Sequence, residues 1–161
     1  ALNQPNRSAM GRLDWDQNQE PLVADDRYFF PNPAGRIQQY AADHIRLAAI
    51  EESYLANTTS TYREMPPNLV AYRNSIEISA TDFWGIGRMI DWSDPAAGNW
   101  IHTNRRYPNL VRLGINTHWT DLGEPERFDA AACYEGVEPI GNGRKNEHSD
   151  IHNLYNLLWN Q

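Results

Sequence analysis

The sequence lacks the features of several protein classes. Its single cysteine, Cys133, excludes an internal disulfide framework and gives no zinc or redox pattern, so we expect it to be a small buried residue. No run approaches the ~18 apolar residues that span a bilayer, and the opening residues ALNQPNRSAMGR lack the apolar centre of a signal peptide. The formal net charge is −7 and the basic residues form no stripe. We therefore expect neither a membrane nor a nucleic acid as partner.

Aromatic residues are abundant instead. The chain of 161 residues has 40% hydrophobic residues, six tryptophans and eight tyrosines. This is enough for the core of one domain, which we assign to residues 1–161. Flat aromatic rings fill cores and also form platforms for sugar rings, so a neutral substrate fits this composition better than a charged one.

The hydrophobic pattern alternates between helices and strands. Residues 31–44 predict a helix, 45–55 a buried parallel strand, and 93–110 a second helix with Ser93 as N-cap and Pro95 in its first turn. Residues 114–120 predict a second strand. A last helix begins near residue 146, and its apolar face is expected to carry Ile151, Leu154, Tyr155 and Leu158.

Long segments follow both predicted strands, at 56–90 and 122–146, and we interpret them as loop insertions. Helices alternating with strands, with long loops on one side, indicate an α/β fold: part of a (β/α)8 TIM barrel. The predicted elements amount to about two to three β/α units, and two strands cannot close a barrel. We therefore expect a piece of a larger barrel, or one chain of a nicked one.

Acidic residues stand at the end of each predicted strand. Glu51 and Glu52 follow LAAI, and Asp121 and Glu124 follow NTHWT. Strands of such a barrel point their last side chains into one pocket, and paired carboxylates can break glycosidic bonds. The alternative is that these acids cap their own loops.

Two further patterns suggest metals. His148 and His152 lie four apart, a spacing that suits two zinc ligands on one helical face but also suits hydrogen bonding or packing, and no third ligand is evident. Asp14, Asp16 and Asn18 alternate as in calcium loops, although the sixth and twelfth positions depart from that pattern. We expect no cofactor, with structural calcium near these three residues as a weak alternative.

Four blocks of sequence together resemble glycoside hydrolase family 31, the α-glucosidase and α-transglucosylase family. HWTDLGEPE is similar to the family's nucleophile segment, and three further blocks match family segments in the family's order. They are FPNPAGRIQQYAADHIRLAAIEESYL, DFWGIGRMIDWSDPAAGNW and EHSDIHNLYNLL. The resemblance covers roughly residues 11 to 159.

The resemblance implies roles for particular residues. Asp121 would be the catalytic nucleophile, forming a covalent glycosyl intermediate. Trp84 and Trp119 match positions lining the first sugar subsite, and Glu52 matches an acid bordering that pocket. Glu124 would hold the turn or orient Asp121. The family's acid/base residue would lie beyond residue 161, so the remainder of the barrel is an implied partner.

These expectations define a retaining hydrolase of α-linked glucosides or gluco-oligosaccharides. One alternative is a transglycosylase of the same family, an α-glucosyl or isomaltosyl transferase in which a sugar hydroxyl resolves the intermediate. Another is a non-catalytic carbohydrate-binding protein, which would not need the acid at position 121. The remaining one is an α/β protein whose acids only cap loops.

Overall fold

The computed structural model describes residues 32–57, 59–73, 76–77, 80–82, 85–121, 123, 129–137 and 146–161. Its longer helices are α1 (Pro33–Ala42), α3 (Pro95–Ile101) and α4 (His148–Trp159), and α2 (Ser60–Glu64) is short. Its strands are β1 (Ala48–Glu52), β2 (Tyr54–Ala56), β3 (Tyr72–Arg73), β4 (Ile76–Glu77), β5 (Ala80–Asp82), β6 (Gly85–Met89) and β7 (Thr117–Asp121).

Strands β1 and β7 form the parallel pair that the sequence predicts. The register runs from Ala48 opposite Thr117 to Glu52 opposite Asp121. Within the described residues no third strand joins this pair. The connection between the two strands includes a helix, as a parallel crossover requires. The prediction of an incomplete barrel is confirmed, because two strands cannot curl into a closed sheet.

The strand predicted over 45–55 is in fact two strands. Strand β1 ends at Glu52, and β2 begins at Tyr54 and pairs antiparallel with β6 in a separate sheet of order β2-β6-β5. Gly87 of β6 permits this pairing, since a Cβ there would lie 1.8 Å from the Leu55 carbonyl oxygen. The segment after β1 therefore contains its own small sheet.

The helix predicted over 93–110 begins at Pro95, and its N-cap is Asp94 instead of Ser93. The Asp94 side chain accepts a hydrogen bond from the Ala96 N–H, as N-caps do. The helix continues through a wider π turn, His102–Arg106, into Tyr107–Asn109. Pro108 has no N–H for the Asn104 carbonyl, and the Arg105 guanidinium donates to that oxygen at 2.9 Å instead.

The last helix packs through three of its four predicted residues, since Leu158 is partly buried against the core alongside Ile151 and Tyr155. Ile151 and Tyr155 are buried as expected, together with His148 and Trp159. The prediction for Leu154 is wrong, because this side chain is exposed. The buried residues repeat at spacings of three and four, so the contact face is rotated toward the polar His148. Among the described helices, none has the length and apolar character of a membrane span.

Candidate functional site

The ends of β1 and β7 bring two of the predicted site residues together. Glu52 and Asp121 are register partners at the last position of the parallel pair. Neighbouring strands lie about 4.8 Å apart, so the two backbones present acids side by side at the carboxyl edge of the sheet. This is the edge at which barrel enzymes carry their reacting groups.

Trp119 lies on the same face of β7 as Asp121, because side chains two residues apart on a strand project the same way. Its side chain is 61% exposed, whereas Asp121 is half-buried. An exposed indole beside a strand-end carboxylate offers a flat apolar surface within reach of a sugar bound at the acid.

The opposite face of the pair holds a buried acid whose contacts the sequence reasoning missed. Glu51 is fully buried, and its two carboxylate oxygens have different partners. Arg106 Nε lies 2.8 Å from Oε2, and His118 Nδ1 lies 2.6 Å from Oε1. Successive side chains of a strand project to opposite faces. An acid on a face that packs against the protein needs a cationic or N–H partner from another element, and this is the signal by which the contacts of Glu51 could be predicted.

Gly123, two residues after Asp121, packs tightly on α4. A Cβ on Gly123 would lie 2.2 Å from Asn156 Oδ1 and 2.8 Å from Trp159 Cε3, so only glycine fits there without a shift. The Thr120 hydroxyl also bonds Asn160 Oδ1 at 2.6 Å. These contacts hold the end of β7, and therefore Asp121, against the last helix.

The buried carboxylate of Asp91 connects the segment that follows β6 to the segment that follows β7. Asp91 Oδ1 accepts hydrogen bonds from the N–H and hydroxyl of Ser93, and Oδ2 accepts from the Glu135 N–H at 2.7 Å. Burial raises the pKa of Asp91, and these hydrogen bonds act in the opposite direction. The loop after β6 is thus linked to the loop after β7.

The two histidines of α4 form part of a hydrogen-bonded chain. The Tyr134 hydroxyl lies 2.7 Å from His148 Nδ1, and His148 Nε2 lies 3.0 Å from His152 Nδ1. The structure thus shows hydrogen bonding, one of the two alternatives for this pair. No group of three histidine, cysteine, aspartate or glutamate residues is placed to hold a metal within the part of the chain that the structure describes. Cys133 is buried, as expected.

Several predicted positions lie outside the described residues. They are Trp84 and Glu124 of the sugar site and Asp14, Asp16 and Asn18 of the calcium pattern. Of the five predicted site residues, the structure therefore locates Glu52, Trp119 and Asp121 on the same strand pair.

A parallel strand pair connected through a helix, with acids at its carboxyl edge, is typical of part of a (β/α) barrel. A family model described as the glycosyl hydrolases family 31 TIM-barrel domain matches residues 9–161. The chain belongs to this family.

Known proteins agree with this assignment. An α-xylosidase of Emericella nidulans is 26% identical over 141 residues, which are 84% of this chain and 16% of the relative. A Flavobacterium johnsoniae dextranase variant, complexed with isomaltotriose, has a TM-score of 0.66 at 16% identity, covering 80% of this chain and 16% of that one. An E. rectale sulfoquinovosidase, in complex with an aza-sugar inhibitor, has a TM-score of 0.67 at 18% identity, covering 91% and 20%. These structures show the barrel fold, and this chain spans a minor part of each protein.

The buried His148 makes the stability of the protein depend on pH. Burial, with the neighbouring charge of His152, lowers the pKa of His148 from 6.5 to about 4. Neutral His148 is therefore fully stabilising above pH 6.5, and this stability is lost as the pH falls toward 4, because the unfolded chain binds the proton first. The loss is on the order of 3 kcal/mol. Thermal unfolding of the full-length protein from pH 7 to pH 4 should show a falling midpoint.

The matched variants are His148→Gln and His102→Gln, since His102 is an exposed histidine of the π turn. His148→Gln should flatten the dependence of the midpoint on pH, and His102→Gln should leave it as in the wild type. Parallel slopes for the wild type and His148→Gln would contradict the assignment.

Proposed function

We propose that the full-length protein is a retaining glycoside hydrolase acting on α-linked glucosides or gluco-oligosaccharides, with Asp121 as its nucleophile. The observation that carries the proposal is the pairing of Asp121 with Glu52 at the carboxyl edge, beside the exposed ring of Trp119. Membership of family 31 supports the reaction class.

In the proposed reaction the Asp121 carboxylate attacks the anomeric carbon, and the bond from that carbon to the leaving oxygen breaks. An acid elsewhere in the barrel gives its proton to the leaving oxygen. Water, deprotonated by the same group, then displaces Asp121 from the anomeric carbon. Two displacements return the original anomeric configuration.

Glu52, Trp119 and Trp84 are proposed to bind the sugar in this site, and Glu124 to orient Asp121. An exposed indole stabilises a sugar by covering the apolar face of its ring, while carboxylates accept hydrogen bonds from its hydroxyls. The named relatives include an α-xylosidase and a sulfoquinovosidase, so the preference of this protein for glucose is proposed on a separate ground. It follows from the resemblance of the nucleophile segment to α-glucosidases.

A transferase of the same family is the second candidate, favoured by the small sheet β2-β6-β5 that follows β1. A built segment at the carboxyl side of a strand can bind an acceptor sugar and exclude water. Product analysis with an α-linked glucose oligosaccharide separates the two. A hydrolase releases glucose as the main product, whereas longer or cyclic products with little free glucose would indicate the transferase.

Replacing the nucleophile should abolish turnover of an α-glucoside. Asp121→Asn keeps the shape of the side chain and removes its nucleophilic charge, so kcat should fall at least about a thousandfold. The matched control is Asp94→Asn, because asparagine also caps a helix and Asp94 acts as the N-cap of α3. Its kcat should remain near the wild-type value. Unchanged turnover in Asp121→Asn would refute the nucleophile and favour the carbohydrate-binding alternative.

Removing the exposed indole should weaken substrate use. Trp119→Ala is expected to lower kcat/KM by roughly tenfold, since an aromatic contact contributes about 0.5–1.5 kcal/mol beyond its buried area. Tyr107→Ala is the control, because Tyr107 is 52% exposed but lies at the end of the helix that begins at Pro95. Equal kcat/KM losses in the two variants would show that Trp119 has no specific role at the sugar.

A further inference from the structure

Two successive glutamates, Glu51 and Glu52, end β1. Glu51 is fully buried on the side of the strand pair where the π turn packs. Glu52 is the register partner of Asp121. Since a one-residue slip of a strand exchanges its two faces, a slip of β1 would exchange these positions. The correct register therefore requires contacts that only a glutamate at position 51 can make.

The partners of Glu51 make this distinction. The register partner of Glu51 is Thr120, whereas His118 pairs with Ala49. The 2.6 Å bond from His118 Nδ1 to Glu51 Oε1 therefore runs diagonally between the strands. A diagonal bond changes length when one strand slides along the other, so it resists sliding as well as separation. Because Glu51 also faces the Arg106 guanidinium, we assign the donor role in this bond to His118 Nδ1 and the acceptor role to the carboxylate.

Arg106 fixes the same carboxylate from a third element. Its Nε lies 2.8 Å from Glu51 Oε2, and its guanidinium carbon lies 5.7 Å from the centre of the Trp92 ring. The Trp92 indole N–H in turn donates to the Ser53 carbonyl at 3.2 Å, directly after β1. Both oxygens of a buried acid are thus held, one from β7 and one from the π turn.

We infer that Glu51, Arg106 and His118 form a positioning cluster that fixes β7 so that Asp121 is held at the reacting carbon. The inference deepens the proposed function and rests on it, because it concerns the placement of the proposed nucleophile. None of the three is a catalytic residue: the cluster lies on the face opposite Trp119 and acts through the strand. His118 is three residues before Asp121 on that strand.

The consequence is an effect on rate at nearly constant binding. A displacement of about 1 Å at the reacting group costs on the order of a hundredfold in rate. Loss of the His118 bond should therefore lower kcat of the full-length protein by roughly ten- to a hundredfold, with KM changed by less than about threefold.

Two conservative variants test the direction of the bond. In His118→Asn the amide nitrogen can occupy the position of Nδ1 and still donate to Glu51, whereas the longer side chain of His118→Gln places its amide at the position of Nε2. His118→Asn should keep kcat within about threefold of wild type, and His118→Gln should show the full loss. Equal kcat values in the two variants would overturn the inference.

Neighbouring arginines provide a matched control for structural damage. Arg105 also pairs with an acid, Glu64, at 2.7 Å, but that acid belongs to α2 and not to the strand pair. Arg106→Met should lower kcat, while Arg105→Met should change the unfolding temperature and leave kcat within about threefold. A similar loss of kcat in both variants would show a general structural effect and contradict the positioning role.

The Asp121→Asn variant, assayed alongside, separates the two levels of the proposal. If Asp121→Asn retains turnover, the proposed function fails whatever the His118 variants do. If Asp121→Asn is inactive while His118→Gln keeps the wild-type kcat, the nucleophile stands and the positioning cluster is refuted.

Discussion

A buried carboxylate with two partners determines how the described elements meet. Isolated in an apolar interior, an ionised Glu51 would be strongly destabilising, and removal of one partner from such a group typically costs about 3–5 kcal/mol. Its partners come from the π turn and from β7, which are distant in sequence from β1. Satisfying this one charge therefore requires the helix and both strands to be assembled together. The register that results places Glu52 beside Asp121.

Other contacts carry this arrangement to the surrounding segments. Trp92 and Trp159 have ring centres 6.2 Å apart, which connects the layer under Arg106 to the last helix. Gly123 allows that helix to approach the end of β7, and Asp91 links the segments that follow β6 and β7. The carboxyl edge of the strand pair is thus supported by the last helix and by the segments that follow β6 and β7. The proposed role of Asp121 requires such support, because the rate of attack by a nucleophile depends on its position within about 1 Å.

Local pattern predicted much of the fold, but long-range pairing did not follow from it. The apolar runs around Ile50 and Ile115 indicated two parallel strands, and Pro95 marked a helix start within two residues of the observed cap. The break at Ser53 was missed because β2 pairs with β6, more than thirty residues later. The helical period predicts an apolar face but not which edge of that face packs on the core, and Leu154 lies on the edge that is exposed. The motif around Asp121 was sufficient to select it as a site residue. The contacts of Glu51 could not be predicted in this way, because they involve residues 55 and 67 positions away.

If the strand pair presents Asp121 to the anomeric carbon of a glucoside, this carboxylate carries the covalent intermediate. The most direct measurement is to trap the intermediate in the full-length protein with a fluorinated glucosyl reagent and to locate the label by peptide mass spectrometry. We expect a single covalent glucosyl group on Asp121, with loss of activity in proportion to labelling. A stable label on any other carboxylate, or full inactivation with Asp121 unmodified, would contradict it.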